Sequence, residues 1–356
     1  MIKHPNSLFI SGINYQGTKL IEYANTLVKN SDWQKNIGLF LLDWLDNKEY
    51  ITVNSSGSTG KPKEIMLSKQ LMLASAQNTI KKLSLHKETK AFMCLPAKYI
   101  SGKMMIVRAM VGKWNLIAVE PVANPLLNLE VVSSFNFATL TPLQLYEIVL
   151  HDSSKKKLNS FQNIIIGGSS INDILLNDVK FLNTKIYESY GMTETASHIA
   201  IKRINGENSS NVFSAMKGVT FSLDQRDCLV IHWKNFLKYP IITNDVVRLF
   251  DNKHFGWIGR IDNVINSGGI KLFAEEIEKK ILSIINIPFY ISSKSDDKYG
   301  QYIILIVEGS PWTKEFQAIF LQECNNLLGK YEIPKEFRFV NQFERTETGK
   351  IIRKLI

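Results

Sequence analysis

The sequence predicts an α/β protein: a large N-terminal domain of parallel-rich sheets with helices and a short-stranded β subdomain, then a small α+β C-terminal domain. Three observations carry that expectation. Short apolar runs alternate with helical patterns through the first half of the chain, the rhythm of strand, helix and strand around a parallel sheet. After about residue 205 the pattern turns to short strands with little helix, and after "GRIDN" helices and strands return in a shorter unit. At 356 residues, 45% of them hydrophobic, the chain can bury two cores. The boundary is expected near Arg260 to Asp262, dividing residues 1–260 from 261–356. No internal repeat or low-complexity linker lies there, so motion between the two parts needs a short hinge rather than a floppy tether.

"YITVN" reads as a strand leading into the glycine-rich "SSGSTGKPK". Ser68 then caps a helix over "KQLMLASAQNTIKKL", whose Leu71, Ala74 and Leu83 suit one face, so the glycine-rich loop is expected to join a strand to a helix. "AFMCL" and "NLIAVE" read as further strands around the helical "MMIVRAM". "FATL" runs into "TPLQLYEIVL", where Thr141 caps and Pro142 fits the first helical position. "NIIIGG", the helical "INDILLNDVKFL" and "KIYESYG" repeat the rhythm. "VTFSL", "CLVIHW", "VVRLF" and "HFGWIG" supply the short strands, and "AEEIEKKILSII", "QYIILIVE", a long helix from Thr313 and "FRFV" supply the last unit.

Composition excludes several classes. No apolar run approaches the roughly 18 uncharged residues of a membrane span, and "MIKHPNSLFISGINYQG" lacks the long apolar segment and cleavage site of a signal peptide, so a cytoplasmic protein is expected. Cys94, Cys228 and Cys324 are odd in number and far apart, and read as reduced and mostly buried. The six histidines show no metal-ligand pairing. The net charge of +10 arises wholly before residue 262, where 30 basic face 20 acidic residues; residues 262–356 carry 13 of each. The lysines are scattered, without a basic stripe interleaved with aromatics, so no nucleic-acid partner is expected and attraction of small polyanions is the better use of the charge. A monomer and a homodimer both remain open.

In "SSGSTGKPK", Gly57 and Gly60 permit close backbone approach, Ser55, Ser56, Ser58 and Thr59 offer hydroxyls, and Lys61 and Lys63 neutralise charge, a set suited to phosphate oxygens. It is not a Walker loop. That pattern needs Lys-Ser/Thr opening a helix, whereas Pro62 follows Gly60-Lys61 and no glycine stands five positions before Gly60. Ordinary turns use the same residues.

Four further segments decide between these readings. "GGSS" at Gly167 to Ser170, "YESYGMTETAS", "TNDVVRLFDNKHFGWIGRIDNVINSGGIKLFAEEIE" and "RTETGKIIRKLI" follow in order, and together with the opening loop they resemble the five motifs of the acyl-adenylate-forming superfamily. The resemblance runs from Ser55 to Arg353. It implies ATP, magnesium and coenzyme A as reaction partners of a small carboxylic acid, which attacks the ATP α-phosphate to give an acyl-AMP before a CoA thiol takes the acyl group. It implies that Ser55, Ser56, Gly57, Ser58, Thr59, Gly60, Lys61 and Lys63 grip phosphates, that Gly168 and Ser169 with Glu188, Ser189, Tyr190 and Gly191 line the adenine side, and that Thr193 and Glu194 act on phosphate and magnesium. A carboxylate with phosphate oxygens is the donor set magnesium prefers. It further implies that Asp245 and Arg260 take the ribose, that Asp262 is the hinge, that Ser267, Gly268, Gly269 and Lys271 border the CoA path, and that Lys350 stabilises the charge shifting in adenylation.

Departures from the family pattern are local. Asn244 replaces the glycine of Thr-Gly-Asp, Glu344 and Arg345 stand where a proline often opens the last motif, and Tyr99 replaces the histidine of Leu-Pro-x-x-His-x-x-Gly in "LPAKYISG". This last segment and the short stretch before the phosphate loop resemble the o-succinylbenzoate-CoA ligase branch of the superfamily, with other small acids, joined to CoA or to a carrier-protein thiol, as the alternative. A second carboxylate on the acid calls for a cation. Lys98, Arg108 and His198 are candidates beside Tyr99, Ser101 and Gly102, Arg108 foremost because it lies on the helix after Gly102; a surface or salt-bridged role stays open for each, and a pocket-wall role for His198.

Overall fold

The computed structural model describes residues 4–54, 63–130, 134–171, 173–345 and 351–353. They form two compact units, one of residues 1–171, 178–219 and 234–236, the other of residues 172–177, 220–233 and 237–356.

The first unit opens with strands β1 (Ser7–Ile10) and β2 (Ile13–Gln16) and helices α1 (Thr18–Val28) and α2 (Asp32–Leu45). Then come β3 (Tyr50–Asn54), β4 (Glu64–Ser68), α3 (Lys69–Lys82), β5 (Lys90–Met93), α4 (Ile100–Gly112) and β6 (Asn115–Ala118). The unit is completed by β7 (Phe135–Leu140), α5 (Pro142–Val149), α6 (Asp152–Leu158), β8 (Phe161–Ile166), α7 (Asp173–Val179), which spans both sets of residues, β9 (Lys185–Gly191), β10 (His198–Arg203) and β11 (Phe213–Ala215).

Its sheet runs β11-β10-β9-β8-β7-β5-β6-β1-β2. From β9 to β1 every neighbouring pair is parallel, as the alternating pattern predicted. The order turns back between β5 and β7, since β6 lies to one side and β8 and β9 to the other; in open parallel sheets such a switch point marks the ligand crevice at the strands' carboxyl ends. Aromatic side chains Phe92, Phe135 and Phe161 pack against one another within 5.0–5.7 Å, one from each of three adjacent strands. The caps read from sequence are present. Ser68 Oγ accepts from the Gln70 amide at 3.2 Å, and Thr141 and Gln144 form a reciprocal capping box with Pro142 in the first turn.

One expectation is corrected. The glycine-rich stretch joins strand to strand, because "EIMLS" pairs antiparallel with "YITVN" before the helix begins. This hairpin forms a sheet of two strands in which only Leu67 of β4 is buried, so β4 lacks the apolar alternation that announces a strand.

The second unit carries an antiparallel meander, β12 (Val219–Leu223), β13 (Cys228–Trp233), β14 (Ile241–Asp251) and β15 (His254–Arg260), then β16 (Val264–Ser267), β17 (Ile270–Phe273), α8 (Ala274–Ile281), β18 (Phe289–Asp296), β19 (Gly300–Glu308), α9 (Lys314–Leu327) and β20 (Glu336–Val340). The last five strands form one sheet around central β19. Ile277 and Ile281 of α8 and Phe320 and Cys324 of α9 bury their side chains with Leu305 and Val307 in its core. All three cysteines are free and buried, as expected. No helix among the described residues is long and apolar enough to cross a membrane.

Candidate active site

Three of the segments singled out by sequence follow the carboxyl ends of parallel strands in the first unit: "LPAKY" after β5, "GGSS" after β8 and "GMTETASH" after β9. Strand polarity therefore gathers them on one edge of the sheet. After β8, Gly167 donates its amide to Leu140 O at 3.1 Å and Gly168 turns with φ +103°. Ser189 Oγ donates to Ile166 O at 2.9 Å and sits so near Gly167 that a Cβ there would meet it at 2.7 Å. Glu188 is buried and paired at 3.0 Å with Lys202, its cross-strand neighbour. Tyr190 packs its ring 5.9 Å from that of Phe213.

Beyond Tyr190 the chain turns tightly. A Cβ on Gly191 would lie 2.5 Å from Ser197 O and 2.6 Å from His198 Cα, so only glycine fits. Thr193 to Thr195 form a single 3-10 turn, and the buried Thr195 Oγ1 accepts from the Met192 amide at 3.1 Å while standing 2.7 Å from Ser197 O. Glu194 projects from this turn, exposed. No cluster of three or more metal-binding side chains exists among the described residues.

The acid-side candidates separate cleanly. Lys98 is exposed, its ammonium 5.5 Å from the Tyr99 ring, and Tyr99 precedes α4 as its cap residue. Ser101 is exposed, and Gly102 is required by packing, because a Cβ there would meet Pro96 O at 2.3 Å. Arg108 is only 2% exposed. Its Nε donates to Thr79 Oγ1 at 3.3 Å and its Nη2 to Ser197 Oγ, and no acidic partner reaches it among the described residues. Burial draws the guanidinium down to about 9, still charged at neutral pH. His198 completes the group, with Nε2 3.1 Å from Thr79 Oγ1 and Nδ1 3.2 Å from Ser197 Oγ. Burial first, then the charge of Arg108, holds its pKa well below the ordinary value, so it is neutral. Thr79 and Ser197 were not singled out by sequence; only Ser197, inside "TETASH", carried a positional hint.

In the second unit Asp245 and Arg260 are direct cross-strand partners on β14 and β15. Arg260 Nη1 stands 3.7 Å from Asp245 Oδ1, which also accepts from Trp257 Nε1 at 3.3 Å. Arg260 Nη2 donates to Asp262 Oδ2 at 2.7 Å. The hinge candidate Asp262 lies in a 3-10 turn over Ile261–Asn263. Ser267 is buried, and Gly268 and Gly269, with φ of +59° and +79°, make the two-residue turn between β16 and β17, whose twist suits two positive φ values. Lys271 is exposed on β17, opposite Asn266. Lys63 is exposed beside β4; Ser55, Ser56, Gly57, Ser58, Thr59, Gly60, Lys61 and Lys350 lie outside the described residues. The segment after Lys350 is anchored within this unit. Ile351 bridges to Arg345, and Arg353 Nη2 pairs at 2.7 Å with Glu278 of α8.

An open parallel sheet with a switch-point crevice, and at its carboxyl edge a glycine-bound turn that carries a carboxylate, form an α/β class that takes its ligands at that edge. A family model described as AMP-binding enzyme matches residues 44–220. The crystal structure of an acyl-CoA synthetase (AMP-forming)/AMP-acid ligase II-like protein from Dyadobacter fermentans is 34% identical, with a TM-score of 0.63, over 92% of this chain and 95% of that one. The chain belongs to the AMP-binding enzyme family. A 2-succinylbenzoate-CoA ligase of Lactococcus lactis is 25% identical over 331 residues, 88% of this chain and 71% of that protein. The o-succinylbenzoate coenzyme A synthetase of Bacillus subtilis, solved with ATP and magnesium, shares the fold at 18% identity and a TM-score of 0.71, over 85% of this chain and 68% of that one.

Proposed function

We propose that the chain is an ATP-dependent acid-thiol ligase that activates o-succinylbenzoate and transfers it to coenzyme A, the thioester-forming step of menaquinone biosynthesis. Family membership supports the reaction type. The observation that carries the choice of acid is Arg108, a buried cation whose partners among the described residues are hydroxyls and not carboxylates. A dicarboxylate offers two carboxyl groups, one for the ATP α-phosphate and one for this guanidinium, which binds carboxylates in a planar fork. The neutral His198 adds a hydrogen-bonding wall without a second charge.

In the first half-reaction a carboxylate oxygen attacks the α-phosphorus and pyrophosphate leaves; in the second, the CoA thiolate attacks the acyl carbon and AMP leaves. Glu194 would hold the magnesium that travels with ATP and neutralises its phosphates. Asp245 would accept the ribose hydroxyls with Arg260 beside it, Tyr190 would face the adenine, and Lys350 would meet the charge shifting between carboxylate and α-phosphate. Asp262 would serve as the hinge of a division between residues 1–260 and 261–356. A cytoplasmic location and a monomeric or homodimeric state belong to the same reading. The alternative is a different small acid delivered to CoA or to a carrier-protein thiol.

Acid-dependent exchange of pyrophosphate into ATP, run across a carboxylate panel, tests the proposal. Exchange is expected with o-succinylbenzoate and only weakly with benzoate or fatty acids. Strong exchange with benzoate or a fatty acid and none with o-succinylbenzoate would sink the assignment of the acid.

A further inference from the structure

We propose that Asn244, which stands where the family motif has glycine, is a positioning residue that latches the hinge carboxylate of Asp262 and so sets the balance between the two half-reactions. This inference rests on the ligase reading above. Asn244 Nδ2 donates to both Asp262 oxygens, at 3.2 and 3.3 Å. Its Oδ1 accepts from Arg226 Nη1 at 3.2 Å. Arginine only donates and a carboxylate only accepts, so the amide has one possible orientation, oxygen to Arg226 and nitrogen to Asp262. Arg226 is itself held, by Asp224 Oδ2 at 2.8 Å and Thr243 O at 3.1 Å. On its other side Asp262 takes the 2.7 Å bond from Arg260. The hinge carboxylate is thus gripped between a neutral donor on β14 and a cation at the end of β15.

Backbone conformation does not explain the asparagine. Asn244 is not among the residues with positive φ, so the position needs neither glycine nor a residue tolerant of the left-handed region. Its side chain is what the substitution adds. Rotation at a hinge changes φ and ψ of the hinge residue and swings its side chain, so a pose change at Asp262 breaks both amide bonds. Two partly exposed bonds of this kind bias a two-state equilibrium by about two- to tenfold.

The test uses the full chain, with Asn244→Ala, Asn244→Gly and Arg226→Ala beside the unsubstituted protein. Acid-dependent exchange of pyrophosphate into ATP reads the first half-reaction, and thioester formation from supplied acyl-AMP and CoA reads the second. Both Asn244 variants are expected to move the two rates in opposite directions by about two- to tenfold, and Arg226→Ala to move them in the same sense by less. Backbone amides 261–264 should exchange hydrogen faster in all three. Rates that fall together, as they would if Asp245 next door were disturbed, or rates and amide exchange that do not change, overturn the latch. If the unsubstituted chain shows no acid-dependent exchange, the ligase reading falls and the latch with it; if it does and the variants leave the two rates unsplit, the latch alone falls.

Discussion

Replacing Arg108 with methionine separates the cost of burying a cation from the use made of it. Methionine is unbranched like the arginine stem, so it keeps the apolar part of the packing of α4 while the charged head is removed. Arg108 is 2% exposed and, among the described residues, its guanidinium bonds only to the hydroxyls of Thr79 and Ser197. Burial draws the guanidinium down to about 9, which corresponds to at most about 5 kcal/mol of burial cost that no anion among the described residues offsets. Arg108→Met is therefore expected to melt no earlier than the unsubstituted protein, and later by several degrees. With a dicarboxylate bound the balance reverses. Removing one partner of a buried, hydrogen-bonded charge pair costs about 3–4 kcal/mol, or 10²–10³ in kcat/KM. An acid without the second carboxylate, such as benzoate, should lose less than about tenfold. Pyrophosphate exchange with both acids, and thermal melts with and without o-succinylbenzoate, give all four quantities. Equal losses for the two acids, or a melting temperature that collapses without any acid present, would show that Arg108 serves the fold and would refute the reasoning.

Two further outcomes are expected. Lys350→Ala should nearly abolish acid-dependent exchange while sparing thioester formation from supplied acyl-AMP; equal loss of both would contradict a lysine that serves only the first step. Glu278, nearly enclosed between Arg353 and the Ile291 amide, is pushed up to about 7 by burial, against the pull of Arg353. A carboxyl raised in the fold binds its proton more tightly there than in the unfolded chain, so its burial cost is absent below about pH 4.5 and complete above about 7. The stability of the unsubstituted protein relative to Glu278→Gln should accordingly fall by up to about 3 kcal/mol between pH 4.5 and 7.5. Chemical denaturation at several pH values checks this, and a difference that stays flat across the window would count against it.

What the sequence disclosed was local. Thr141 with Pro142 and Ser68 before a helical face are short-range signals, and both caps form. Strand β4 escaped because only Leu67 of its five residues is buried, and because a stretch rich in turn residues precedes it. Helices α1 and α2 were not read, although they bury apolar side chains such as Leu20, Phe40 and Trp44. At the site, Arg108 could be placed on a helix by sequence, but its setting among hydroxyls could not. That property depends on Thr79 and Ser197, which lie 29 and 89 residues away and are brought in by other elements. The departure at Asn244 was visible as a letter out of place, whereas its partners Arg226 and Asp262, each 18 residues distant, required the register of the meander. Glu278 and Arg353, 75 residues apart, carried no local signal at all.

The turn between β9 and β10 joins the two halves of the proposed chemistry. Glu194, proposed for the magnesium side, and Ser197 with His198, on the acid side, belong to one stretch whose ends are pressed together by the close approach at Gly191. Within it Ala196 is fully buried at φ +60°, ψ −31°, a conformation that costs an alanine about 1–3 kcal/mol and persists only where its surroundings hold it. The Thr195 hydroxyl, fixed between Met192 and Ser197, supplies part of that hold. A strained, cross-braced turn has few ways to relax, so the carboxylate at one end and the hydroxyl that steadies Arg108 at the other keep a constant separation. Attack of a carboxylate on a phosphate depends on alignment of two independent substrates, and misplacement by an ångström costs orders of magnitude. Under the roles proposed above, carrying both groups on one braced turn would make that alignment a property of the folded chain, established before either substrate arrives.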